Sequence, residues 1–119
     1  MYKVIRIGNK NVPMISNGGT LREYRHFFKR DLLCDFMKVK AAYDSKNFEG
    51  TNISEMLENI AWTMAHKANP NIKDIDEWLD QFDDAFSIIK AFEQIKELFD
   101  SSMQTTVKPK KKTKQTMKK

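Results

Sequence analysis

The sequence predicts an α+β fold, mainly α, in which an N-terminal β-hairpin packs on a compact bundle of four to five helices and a disordered basic C-terminal tail follows. Three observations predict it. Two short β-favouring runs flank a Gly-Asn pair within the first fifteen residues. Apolar residues then recur at helical spacing between capping and breaking signals as far as Phe99. After Met103 the composition turns to Lys, Thr and Gln, too polar to bury. A chain of 119 residues suits one domain, placed by these boundaries at 1–103, with the tail at 104–119.

In the first element, Tyr2-Lys3-Val4-Ile5-Arg6-Ile7 alternates, Gly8-Asn9-Lys10-Asn11 turns, and Val12-Pro13-Met14-Ile15 returns. Pro13 has no N–H, so the second run belongs at an edge or at the end of pairing. A lone hairpin is unstable in water and has to pack on the helices. Ser16-Asn17-Gly18-Gly19 is a breaker cluster, and Thr20 with Glu23 has capping-box spacing. From there Leu21, Tyr24, Phe27 and Phe28, then Leu32, Leu33, Phe36, Met37 and Val39, make one bent helix or two short ones around Lys29-Arg30-Asp31.

Residues 44–50 read as a loop. Thr51 or Asn52 then caps a helix whose stripe is Ile53, Met56, Leu57, Ile60, Ala61 and Met64, stopped by Asn69-Pro70-Asn71. Asp74, Asp76 and Glu77 form an acidic first turn suited to the helix dipole, ahead of Ile75, Trp78, Leu79 and Phe82. The last helix carries Ala85, Ile88, Ile89, Phe92, Ile95 and Phe99 and is expected to fray near Ser101.

The formal charge of +5 is unevenly placed. Seven of the 21 basic residues are lysines in the last twelve positions, which hold no acid, so 14 basic against 16 acidic residues leave 1–107 at −2. The basic balance therefore belongs to the tail, which could hold nucleic acid nonspecifically, and not to a basic binding face. One cysteine, Cys34, excludes an internal disulfide framework and a thiolate-rich zinc site. No run approaches the roughly 18 apolar residues of a membrane span, and residues 1–10 lack the apolar core of a signal peptide. These features point to a cytoplasmic protein with no membrane partner.

Chemistry-bearing residues are scattered. His26 and His66 fall in separate helices with no carboxylate or second histidine at i+4, which favours surface positions over metal or catalytic roles. Cys34, between Leu33 and Asp35 with no adjacent base, reads as a buried inert thiol. Gly18-Gly19 lacks the Lys-Ser or Lys-Thr of a phosphate loop. Asp74, Asp76, Glu77, Asp80, Asp83 and Asp84 lack the ligand alternation of a calcium loop and read as a solvated helix face. No catalytic residue, metal or cofactor is expected. Seven methionines and eight phenylalanines instead suggest adaptable apolar surface, although gap-filling in the core is the ordinary role of any one Met. Trp62 lies off the stripe of its helix, and core and partner contact suit it equally.

Val4-Ile5-Arg6-Ile7-Gly8, Val12-Pro13-Met14, Leu21-Arg22-Glu23-Tyr24-Arg25 with Phe28 and Asp31-Leu32-Leu33, Ala61-Trp62-Thr63-Met64-Ala65, and the Asp76-Glu77-Trp78-Leu79 helix through Asp83 follow one another in an order that resembles the small tail assembly chaperones of long-tailed bacteriophages, over residues 2–100. The family pattern has a helix-breaking glycine after Phe28, where this chain has Lys29. The resemblance implies a noncatalytic protein of the host cytoplasm, not expected in the finished virion. Its partners would be the apolar, helical tape measure protein, which it keeps soluble, tail tube subunits that displace it, further copies of itself, and a longer form made by ribosomal frameshifting. Lys110-Lys111-Lys112 would be encoded by an A-rich run of the kind on which ribosomes slip. Under this reading Met56, Trp62, Met64, Trp78 and Phe82 are the partner-contact candidates, with Trp78 also readable as core. The rival is a small nucleic-acid-binding regulator using its helices and basic tail, against which stands the acidity of 74–84.

Overall fold

A computed structural model describes residues 1–47 and 52–107. Strands β1 (Tyr2–Ile7) and β2 (Lys10–Ile15) form the hairpin, with Tyr2 opposite Ile15 and Ile7 opposite Lys10. Gly8 turns the chain at φ +61°, and a side chain there would also crowd Ser87 Oγ. Alternation sends Ile5, Ile7, Val12 and Met14 into the core and leaves Tyr2, Val4 and Pro13 outside. Counting pairs from the turn, Val4 and Pro13 form a non-hydrogen-bonded pair, so the missing N–H of Pro13 falls on the outer edge of β2. The outer edge of β1 is covered too: the Gln94 amide receives the Arg6 N–H at 3.2 Å and donates to the Arg6 carbonyl at 3.3 Å.

Helix α1 (Gly18–Phe28) begins earlier than its expected cap. Asn17 Oδ1 accepts the Thr20 N–H while Thr20 Oγ1 accepts the Asn17 N–H, so the capping box is Asn17 with Thr20, and Gly18-Gly19 form the first turn. Glu23 is thereby free for another partner. The chain then makes two helices, not one bent helix: Lys29 takes the left-handed conformation at φ 58° and stops α1, and Asp31 caps α2 (Leu32–Ser45) by accepting from Leu33 N at 2.9 Å. Lys46, also left-handed, ends α2. The expected loop thus starts later than residue 44, since Asp44 and Ser45 belong to the last turn of α2; its positions 48–50, and Thr51, lie outside the described residues.

Helix α3 (Ile53–Ala68) follows Asn52, whose side chain makes no capping bond, and packs against β2, α1 and α2 as well as the two short helices that come next, α4 (Ile75–Leu79) and α5 (Ser87–Lys90). Surrounded in this way, α3 buries six consecutive residues, Ile60 to Ala65, and the buried hydroxyl of Thr63 donates to Asn59 O at 2.8 Å. Helix α6 (Phe92–Val107) completes the bundle: Phe99 lies 4.2 Å from Phe36, centroid to centroid, and Phe92 4.5 Å from Tyr43. The Ser16 and Ser102 hydroxyls bond at 2.8 Å and tie α6 to the hairpin.

Among the described residues, four long helices and two single turns thus carry the hairpin. The helical stretch expected from Ala85 onward is split: Ala85 is exposed and outside any helix, and a turn at Ala91 separates α5 from α6. Helix α6 runs past Ser101 to Val107, and positions 108–119 of the expected tail lie outside the described residues.

Candidate functional site

Four of the five contact candidates read from the sequence lie in the core. Met56, Trp62, Met64 and Trp78 are at most 8% exposed, and Phe82 is half-buried with its ring edge-on to Trp78 at 5.1 Å. The first four pack within the core and leave little surface for a partner while the fold stays intact. Trp62 shows why: α1, α3 and the following loop close around it, and its indole N–H donates to the Lys73 carbonyl at 2.9 Å.

Around Trp62 the structure assembles a cluster that its separate sequence segments did not announce. The His66 ring stacks on the indole at 4.7 Å, and His66 Nδ1 lies 2.8 Å from Glu23 Oε1, across 43 residues of sequence. Phe27 packs edge-on to both rings, and Lys67 Nζ approaches the other Glu23 oxygen at 3.9 Å. The missed signal was Glu23 itself, assigned to a cap that Asn17 provides. The cluster thus brings together a histidine, a carboxylate and a lysine. Cys34, contrary to expectation, is exposed, because it sits on the outward side of α2 one turn beyond Arg30. Among the described residues no group of three or more His, Cys, Asp or Glu side chains is placed to hold a metal ion.

A second polar centre fixes the junction of α1 and α2. Arg30 clasps Asp35 with both oxygens engaged, at 2.7 and 2.9 Å, and the buried Tyr24 hydroxyl donates to Asp35 Oδ2 at 2.6 Å. Burial works against the Asp35 charge, yet the hydrogen bonds from Arg30 and Tyr24 outweigh it and hold the carboxyl below its ordinary value. Burial, with the Asp35 bond second, pushes the Tyr24 hydroxyl far above its own. This centre is closed: every strong acceptor already has its donor.

What faces outward is apolar or charged. Tyr2, Val4, Phe27, Leu33, Met37 and Phe86 are between 42% and 63% exposed. Leu33 and Met37 stand one turn apart on the outer side of α2, and Phe27 is the exposed edge of the Trp62 cluster. On α1, a groove of about 570 Å³ is lined by Gly18, Leu21, Arg22, Arg25 and His26. A smaller one, about 340 Å³, runs between Pro13 on β2 and Trp78 on α4. Such an exterior offers apolar and charged surface for binding. Comparison with family models, curated proteins and solved structures finds no match for the chain.

Proposed function

We propose that this protein is a noncatalytic assembly chaperone that shields an apolar helical partner, as its resemblance to phage tail assembly chaperones implies. The partner in that setting is the tape measure protein, and tail tube subunits would displace the chaperone as the tail is built. The observation that carries the reading is the set of large apolar side chains left in solvent on a well-packed domain, above all Leu33 and Met37 on successive turns of α2 with Phe27 on α1. A helix with an apolar stripe aggregates when unassembled, and a methionine and a leucine on a helical face suit varied apolar contacts. The contact surface is therefore assigned to these residues, in place of the buried Met56, Trp62, Met64 and Trp78.

The experiment is the nucleotide sequence downstream of the Met103 codon, followed by co-expression. A shifted overlapping frame near the codons for Lys110-Lys111-Lys112 and then a very long helix-rich reading frame would support the reading, as would recovery of that long protein in soluble form only when this chain is present. A gene standing alone, or a long protein equally soluble without this chain, would overturn it.

A further inference from the structure

The basic groove on α1 has a complement elsewhere on the same chain. Arg22 and Arg25 lie on successive turns, facing the same way, with His26 beside them and half-buried Leu21 as the floor between. Arg22 forms no ion pair or hydrogen bond with any described residue, and Arg25 reaches only Asp31, at 4.0 Å. The groove thus presents two largely unspent guanidinium groups around an apolar floor.

Residues 74–86 are the reverse image. They contain six acidic residues and no basic one, and all six are exposed. Of these, among the described residues, only Asp84 is ion-paired, to Lys90. Asp84 also accepts the Phe86 N–H at 2.9 Å through Oδ1, and its carbonyl accepts from Ser87 N at 3.0 Å. That turn holds Phe86, 62% exposed, three residues along the chain from the exposed Asp83. An exposed apolar side chain in an acidic stretch matches an apolar floor flanked by guanidinium groups, and arginine also stacks favourably on an aromatic ring. Neither Arg22 nor Arg25 pairs with this segment within one molecule.

We propose that the α1 groove of one copy receives Phe86 and the carboxylates of Asp80 and Asp83 of a second copy. The two surfaces differ, so the contact is head to tail and propagates from copy to copy until a ring closes or a partner ends. A nucleic acid is the weaker occupant, because phosphate chains need an extended positive track, whereas Asp31 already approaches Arg25 of this groove and 1–107 is net negative. One phenylalanine and a few ion pairs are a small contact, so association is weak and salt-sensitive and becomes effective when copies lie side by side on one long partner. That last consequence alone rests on the chaperone reading; the contact itself does not.

Sedimentation velocity of the full chain, without any partner, at about 0.05 M and about 0.5 M salt tests the contact separately from the chaperone reading. Wild type is expected to associate with rising concentration at low salt and to dissociate at high salt. Arg22→Glu with Arg25→Glu, or Asp80→Lys with Asp83→Lys, weakens association at least about tenfold, and an equimolar mixture of the two variants restores it, since each retains one original surface and their reversed surfaces also complement. Circular dichroism confirms that each variant is folded, and Phe86→Ser, which leaves every charge in place, should weaken association as well. Wild type monomeric at all concentrations, or a mixture that does not associate, overturns the proposal. So does association that survives Arg22→Glu with Arg25→Glu but ends when 108–119 are removed, which would put the lysine tail on the acidic face, or duplex DNA binding lost in that variant with no self-association.

Discussion

The junction between α1 and α2 and the acidic segment at 74–86 are both dense in charge, and they put it to opposite uses. At the junction Asp35 is buried, clasped by Arg30 and bonded by Tyr24, so its charge is turned inward and fixes how two helices meet. In the acidic segment all six carboxylates are exposed, with Asp74 capping α4 and Asp84 pairing with Lys90 at the surface, and only short turns of helix lie behind them, anchored by Trp78. The difference teaches that charge builds structure where a partner and burial coincide, and otherwise makes surface available for recognition.

The largest expected effects come from the anchors of each region. Trp62→Ala removes the ring that joins α1, α3 and the loop carrying Lys73, and should cost about 3–5 kcal/mol in urea unfolding. Asp35→Ala leaves the Tyr24 hydroxyl buried without its acceptor and frees Arg30, and should cost about 3 kcal/mol in the same assay. By contrast, Asp80→Asn with Asp83→Asn should change stability by less than about 0.5 kcal/mol. If the acidic pair proved as costly as Asp35, the contrast between the two regions would be broken.

The pH dependence sharpens the same contrast. Asp35 is held below its ordinary value, so its contribution is present above the unfolded carboxylate range, near about pH 4, and is lost as pH falls through its folded value. Tyr24 is shifted the other way: its contribution is present below about pH 10 and is lost as pH rises beyond it. Thermal unfolding against pH should show both flanks, and Tyr24→Phe should shrink the alkaline one.

Hairpin, helix order and the main stripes were legible because each is local: a Gly-Asn turn, a proline at an edge and apolar spacing are written in consecutive residues. What long-range packing decides was not. Core and partner contact suited Trp62 equally only because α3 was imagined with one buried side, whereas five other elements cover it. Glu23 fitted a capping box by spacing, yet Asn17 was nearer the true start and left Glu23 for His66. Cys34 takes the outward side of α2 because the break at Lys29 resets the helix phase. That break gives the smallest prediction: Lys29→Gly relieves a left-handed side chain and should raise stability by about 0.5 kcal/mol, after the greater freedom of glycine in the unfolded chain is subtracted.

The central claim, that outward apolar residues of α1 and α2 shield a helical partner, is tested most directly by co-expressing the long downstream protein with wild type or with Leu33→Ser plus Met37→Ser. Both substitutions lie on exposed positions, so thermal unfolding should hardly move. The account predicts that soluble partner falls severalfold with the folded double variant. Undiminished recovery with that variant would contradict it.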